Sequence, residues 1–386
     1  VKYVDEYRQP EAARAIAAAI ARAAAPQRHY RIMEFCGGHT HAIFRYGLRQ
    51  LLPANVEFIH GPGCPVCVLP GGRLEGLLQL LEQRDIILCS YGDMLRVPAA
   101  RGRSLQRLRA SGADVRMVYS TQDALQVARQ NPQREVVFFA IGFETTTPAT
   151  AVALITARRE GLKNFSVYCN HVLTPPAMAA ILSTEDDSTG GAAVAIDALL
   201  GPSHVSAIIG SEAYAPLARR YKKPIVIAGF EPLDLLQSTL MAIVQINAGR
   251  HQIENEYRRA VSAQGNEKAQ ALMAGVFTLR DEFEWRGLGV LPRSALAINA
   301  AYGQFDTEQR FAMEPVPLAD NKGCECAEVL RGRRRPEECK LFARACTPES
   351  PMGACMVSAE GACAAVWHYG GHQSEGAADG ALTTQA

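Results

Sequence analysis

Six of the chain's eleven cysteines fall between Cys324 and Cys363, spaced C-x-C-x12-C-x6-C-x8-C-x7-C. A buried thiol behaves as a small hydrophobe, and packing alone would scatter such residues along strands and helices. Here they sit in a stretch rich in Gly, Pro and Arg with little apolar periodicity, so the local fold needs a crosslink. Six thiols provide four ligands for an iron–sulfur cluster and leave two that open and close as a disulfide. The cysteines therefore bear on chemistry as well as on stability.

A chain of 386 residues exceeds what one hydrophobic core organises, so two or three domains are expected. The 48% hydrophobic and 20% charged residues are those of an ordinary soluble globular protein. A formal net charge of +1 argues against a general nucleic-acid binder, which carries a basic surplus. One local basic run, Arg331 with Arg333, Arg334 and Arg335, reads as a solvated loop beside the cysteines or as a docking point for an acidic partner. No apolar run approaches the ~20 residues that span a bilayer. Val1–Pro26 is Ala-rich and amphipathic and lacks the charged-then-apolar order of an export signal. A cytoplasmic location without membrane or nucleic-acid partners is expected, where clustered cysteines favour metal or redox roles.

From about residue 30 to 230, short apolar runs alternate with helical patterns. The expected strands are Arg31–Phe35, Val56–His60, Asp85–Ser90, Val115–Tyr119, Glu135–Ile141, Phe165–Cys169, Val205–Ile209 and Pro224–Ala228. Between them lie helical stretches such as Arg73–Gln83, Thr121–Gln130 and Ala149–Arg159. This alternation predicts an α/β fold of parallel sheets covered by helices. A division into two similar halves near residue 120–130 suits the length. Each half then has an apolar strand followed by a Gly-rich loop and a helix, at His60-Gly61-Pro62-Gly63 and at Ile141-Gly142-Phe143. Helices are expected at Leu233–Ala248 and Gln252–Ala263, and an irregular, Pro-rich pattern after Val276.

Ligands of open parallel sheets bind beyond the carboxyl ends of the strands. Those positions carry a second group of reactive residues. The first strand leads into Cys36-Gly37-Gly38-His39-Thr40-His41, and the second into Gly61-Pro62-Gly63-Cys64-Pro65-Val66-Cys67. Glu135–Ile141 leads into Gly142-Phe143-Glu144-Thr145-Thr146-Thr147-Pro148, and Phe165–Cys169 into Asn170-His171. Later strands end near Ser211-Glu212 and Phe230-Glu231. A central crevice between the halves would gather them.

Cys64 and Cys67 form a C-x-x-C at a strand-to-helix loop, where a helix N-terminus favours a thiolate and a disulfide is within reach. A zinc half-site would want a second pair at matching spacing, and residues 1–323 hold none. Cys36 sits beside Gly37 and Gly38, which let backbone approach a ligand closely, and His39 and His41 are candidates for proton transfer. Cys89 and Cys169 lie inside apolar strands and read as core. Glu144 with Thr145–Thr147 before a helix reads as an anion site or as a cap. His171 reads as a proton carrier or a structural histidine. Neither a Walker loop nor G-x-G-x-x-G is present.

Four motifs in order, Cys36-Gly37-Gly38-His39-Thr40-His41, Gly61-Pro62-Gly63-Cys64-Pro65-Val66-Cys67, Gly142-Phe143-Glu144-Thr145-Thr146-Thr147-Pro148 and Cys346-Thr347-Pro348 with Cys355-Met356-Val357-Ser358 and Gly361-Ala362-Cys363, together resemble the HypD family. Its members are iron–sulfur proteins of [NiFe]-hydrogenase maturation. The resemblance implies a scaffold for the Fe(CN)2CO group, with Cys36 as its iron ligand and Cys64 and Cys67 as a redox pair. It also implies a HypC-type chaperone that shares the iron, a HypE-type protein that delivers cyanide, and, indirectly, the hydrogenase large subunit. The iron carrying cyanide and CO is soft enough to prefer thiolate.

The C-terminal segment resembles the cluster region of ferredoxin:thioredoxin reductase, in which a [4Fe–4S] cluster sits beside a disulfide. That likeness implies Cys324, Cys339, Cys346 and Cys363 on the cluster and Cys326 with Cys355 as the adjacent pair, an assignment that spacing alone does not select. It also supplies an alternative function, a protein disulfide reductase. The organisation expected is an N-terminal helix within 1–28 packed on the C-terminal domain, and a first α/β domain at 29–125 completed by 220–245. A second α/β domain is expected at 126–219, a helical and irregular iron–sulfur domain at 246–371, and a disordered tail at 372–386.

Overall fold

The computed structural model describes residues 2, 4–183, 195–318 and 321–370, so the tail expected at 372–386 lies outside the described residues. In chain order the first nine strands are β1 (Tyr30–Glu34), β2 (Val56–His60), β3 (Ile86–Ser90), β4 (Val115–Met117), β5 (Glu135–Gly142), β6 (Phe165–His171), β7 (Ala198–Gly201), β8 (Ile225–Ile227) and β9 (Ile253–Asn255). They form two wholly parallel sheets, ordered β2-β1-β7-β8-β9 and β4-β3-β5-β6. Parallel strands covered on both faces read as continuous apolar runs. Accordingly every residue of β3 and of β6 is buried.

Two α/β halves are present, but the sheets cut the chain elsewhere than at residue 125/126. β3 and β4 belong with β5 and β6, while β7, β8 and β9 return to complete the sheet of β1 and β2. The return of β8 falls within the 220–245 expected to complete the first half, whereas hydrophobic runs report that strands are buried without naming their neighbours, so the places of β3, β4, β7 and β9 were not visible in the pattern. Val205–Ile209, expected as a strand, lies in the helix Ser203–Ile209, which Gly210 ends at φ +82°. The β-branched residues there serve helix packing, and β7 just upstream takes the sheet position. Gln252–Ala263, expected as a helix, instead supplies β9, because pairing with β8 outweighs a weak helical period.

The helix Pro10–Ala23 buries Ala17 and Ile20 against the helix Pro232–Asn247 of the first half, not against the C-terminal segment. Asn247 fixes the junction, its Nδ2 donating to the Ala23 carbonyl at 2.7 Å and its Oδ1 accepting from the Tyr30 hydroxyl at 2.6 Å.

The described residues of the segment expected at 246–371 are less helical than expected. β10 (Phe277–Leu279) pairs antiparallel with β13 (Leu296–Ile298), and β11 (Glu282–Trp285) with β12 (Gly289–Pro292). Glu282-Phe283-Glu284-Trp285 alternates exposed and buried, the period-two signature of a half-buried strand. Beyond it the cysteine segment is a set of short turns ending in the helix Ala362–Tyr369. One continuous core joins β1, β5, the Cys64–Leu69 turn, Trp285 and the cysteine segment. Among the described residues no helix is long and apolar enough to cross a membrane.

Candidate functional site

In the first sheet, β1 has β2 on one side and β7 on the other, so the connections leave in opposite directions. Such a switch point opens a crevice at the carboxyl ends of the strands, and Cys36 lies there. Its backbone caps the helix Gly37–Arg45, accepting from the amides of His39 at 2.9 Å and Thr40 at 3.2 Å. The loop after β2 lies directly on it: the Gly37 amide donates to the Gly63 carbonyl at 3.1 Å. A Cβ on Gly63 would stand 2.6 Å from the Cys36 Cα, so only glycine permits this approach.

Beneath the loop is Glu34, fully buried. Its Oε2 accepts from the Cys36 amide at 3.0 Å, and its Oε1 accepts from the Thr40 hydroxyl and lies 2.8 Å from His60 Nδ1. Burial, with the carboxylates of Glu360 and Glu34 nearby, pushes the Cys36 thiol up to about 12. The sulfur therefore holds its proton until a cation displaces it. A thiol that keeps its proton is a poor nucleophile, and a metal ligand must give the proton up.

Cys64 caps the turn Pro65–Val68, and its sulfur accepts from the Cys67 amide at 3.3 Å. Both thiols are buried, and burial followed by the bond to Cys64 pushes Cys67 well above its ordinary range. Cys67 also feels Cys363 and Glu360 electrostatically, so the C-terminal segment reaches this pair. The helix Ala362–Tyr369 packs on Gly37–Arg45, and the turn Ala354–Met356 packs on Pro65–Val68.

Glu144 lies past β5 at the switch point of the second sheet. Burial raises its carboxyl to about 7, against the bonds it accepts from the Thr174 amide at 2.9 Å and hydroxyl at 3.0 Å. Tyr214, fully buried, feels both Glu144 and Cys36 electrostatically. His39 places Nε2 3.0 Å from the Ser203 hydroxyl and 3.2 Å from the Ala228 carbonyl, and burial lowers it to about 4, so the ring is neutral. His41 is half-buried and stands edge-on to Tyr369 at 5.2 Å. His171 is apart from this group. It shares strand parity with Val167 and Cys169, which face the outer helices, and its Nε2 lies 2.9 Å from the Thr150 hydroxyl.

The six C-terminal cysteines line one small apolar cavity with Phe342 and Met356. Cys326 and Cys355 are joined in a disulfide, while Cys324, Cys339, Cys346 and Cys363 are free. The four free thiols influence one another: Cys363 is pushed up by burial and by Cys324, Cys346 and Cys339. A Cβ on Gly353 would stand 2.4 Å from the Cys324 sulfur, so a glycine keeps that sulfur's space clear. Among the described residues no three ligating side chains converge as a single metal ion requires. A four-iron cluster makes a different demand, one thiolate per iron around a cavity, and the four free thiols fit it.

Glu34, His60, Tyr214 and Glu360 were not singled out from the sequence. Glu34 carried a usable signal, a carboxylate that follows Ile32 and Met33 at the buried end of a strand. Glu360, exposed at the lip, acquires its place beside Cys36 and Cys67 only through packing of the last helix.

The family model described as HypD: Hydrogenase formation hypA family matches residues 11–370. The hydrogenase maturation factor HypD of Azotobacter vinelandii is 59% identical over 370 residues, covering 96% of this chain and 97% of that protein. That of Rhodobacter capsulatus is 49% identical over 380 residues, with 96% and 99% covered. That of Escherichia coli strain K12 is 46% identical over 380 residues, with 97% and 100% covered. The match takes in the Cys36 loop, the Cys64–Cys67 turn and the cysteine segment alike. This chain belongs to the HypD family of hydrogenase maturation factors.

Proposed function

We propose that this protein is a redox-active scaffold on which the Fe(CN)2CO group of [NiFe]-hydrogenase is assembled, with the iron as its cargo. The observation that carries the reading is the meeting of Cys36 with the Cys64–Cys67 turn at a parallel-sheet switch point. Cys36 binds the iron as thiolate, giving up its proton as the metal arrives. A HypC-type chaperone holds the same iron from the open side, a HypE-type protein supplies cyanide, and the hydrogenase large subunit receives the product.

Attaching diatomic ligands to iron consumes electrons. Oxidation of Cys64 and Cys67 to a disulfide releases two electrons and two protons, and its reversal restores the dithiol. Cys324, Cys339, Cys346 and Cys363 hold a [4Fe–4S] cluster, which when bound supplies one-electron storage. The Cys326–Cys355 pair lies beside those thiols and exchanges two electrons as a disulfide. His41 and Glu144 are the proton-handling groups of the crevice, since Glu144 titrates near neutral pH and His41 is open to solvent in part.

Infrared spectroscopy of the anaerobically purified complex with its chaperone tests the reading. Cyanide and CO stretching bands are expected with the wild-type chain and absent from Cys36→Ala. Their persistence in that variant sinks the scaffold role. The disulfide beside four thiols favours a second reading, a protein disulfide reductase. That reading expects turnover of a disulfide-bonded protein substrate with no chaperone present and no effect of Cys36→Ala.

A further inference from the structure

A cavity of about 840 Å³ opens on the face of the molecule beside the cysteine segment. Among the described residues, five guanidinium groups line it, those of Arg96, Arg101, Arg103, Arg107 and Arg286, against the carboxylate of Glu349. Arg103 is neutralised by Glu75 and Glu82. Arg96 donates to the carbonyls of Val357 at 2.7 Å and Pro348 at 3.4 Å, neutral acceptors that leave its charge uncompensated. Arg101 and Arg107 have no carboxylate partner among the described residues. Arg101 is also held at φ +54°, a left-handed conformation that an arginine adopts only when its surroundings impose it.

The cavity is one residue from the thiols. Met352 forms part of its wall and donates its amide to the Cys346 sulfur at 3.3 Å. Arg286 reaches from the cavity toward the other cysteines: its Nε donates to the Leu69 carbonyl at 3.0 Å, just past Cys67, and its charge acts on Cys324. Arg96, Arg101 and Arg107 are exposed at the rim rather than buried around a point. A pocket for a small polyanion buries its cations around the ligand, whereas exposed rim arginines steer and orient an approaching acidic protein.

We propose that this arginine-lined cavity is the docking site for an acidic one-electron carrier protein that reduces the Cys326–Cys355 disulfide. The assignment rests on the redox scaffold reading above. Two one-electron transfers from the carrier, with two protons from solvent, convert the disulfide into two thiols, and the carrier is oxidised twice.

The test uses the full chain under anaerobic conditions and a reduced, acidic [2Fe–2S] ferredoxin as the probe. Binding is measured at low and high salt for the wild type, for Arg101→Glu with Arg107→Glu, and for Arg22→Glu on the N-terminal helix as a charge control. Docking predicts about a tenfold loss of affinity in the double variant at low salt, shrinking as screening shortens the reach of the charges. The control should bind as the wild type does. Equal binding by the double variant overturns the assignment. So does saturation of the cavity by tripolyphosphate with no ferredoxin binding, which marks a small-anion site. Alkylation of Cys326 and Cys355 is followed in parallel with dithionite and methyl viologen, a small mediator that needs no docking. If that mixture leaves the disulfide intact in every chain, the redox reading fails while the binding result stands by itself.

Discussion

The Cys36 amide donates to Oε2 of Glu34 at 3.0 Å, so a fully buried carboxylate holds the loop that carries the proposed iron ligand. The same carboxylate takes the Thr40 hydroxyl and faces His60 Nδ1 at 2.8 Å. Cys36 is thus fixed from below by β1 and β2, and from the side by Gly63. An iron ligand set this way needs little reorganisation when the metal arrives.

Glu34→Ala leaves the Cys36 amide, the Thr40 hydroxyl and His60 Nδ1 without their acceptor. Each buried orphan costs about 1–3 kcal/mol, so a loss of about 3 kcal/mol or more is expected in urea unfolding. Cys36 should also become faster to alkylate in the folded state. An unchanged midpoint together with unchanged alkylation would show that the carboxylate does not hold the loop.

Gly63→Ala places a methyl group 2.6 Å from the Cys36 Cα, against backbone that cannot rotate away. The two loops must separate, at a cost of about 1–3 kcal/mol, and the cyanide and CO bands of the complex should vanish while the far-ultraviolet spectrum remains. Gly275→Ala is the contrast, in the helix Glu267–Val276 with nothing within 4 Å of the added carbon. It should stabilise by up to ~1 kcal/mol and leave the bands intact.

Cys324→Ser should abolish the visible absorption of the iron–sulfur cluster, and Cys326→Ser should retain it, because Cys326 is already committed to Cys355. The reverse outcome would exchange the roles of these two residues, and absorption spectra of the anaerobically reconstituted variants decide it.

Glu144 has its carboxyl raised from 4.5 to about 7 by burial. The folded chain therefore binds a proton at this site that the unfolded chain releases above about 4.5, and stability falls as pH rises through the window from 4.5 to 7. Glu144→Gln mimics the protonated form and still meets both Thr174 groups. It should flatten that part of the stability–pH curve and unfold at higher urea than the wild type at pH 8, by a few kcal/mol at most. Parallel curves for the two chains would place the proton elsewhere.

Much of the α/β framework was legible because strands of parallel sheets are short, apolar and followed by glycine-rich loops. The limits of β2 match the observed ones, and those of β3, β5 and β8 lie within one residue of them. The strands β10 to β13 went unread because three- and four-residue strands leave little periodicity, although Glu282–Trp285 alternates cleanly. His171 was left open between a proton carrier and a structural histidine because its position after a strand suggested the crevice; its parity with Val167 and Cys169 turns it to the outer face. The Cys36, Cys64 and Cys67 loops were legible as a group, since each follows directly on its strand.

The sequence alone determined the α/β class, the family, and the position of reactive residues at the ends of strands. These are local properties, written in periodicity, turn residues and motif spacing over a few neighbouring positions. Only the tertiary structure decided that β7 returns to pair with β1 and that Tyr214 comes near both Glu144 and Cys36, while the bond between Cys326 and Cys355 beside four free thiols agrees with what the resemblance implied and spacing alone did not select. Such pairings join residues far apart in the chain. They are selected by the combined packing of the whole core, which no local pattern contains.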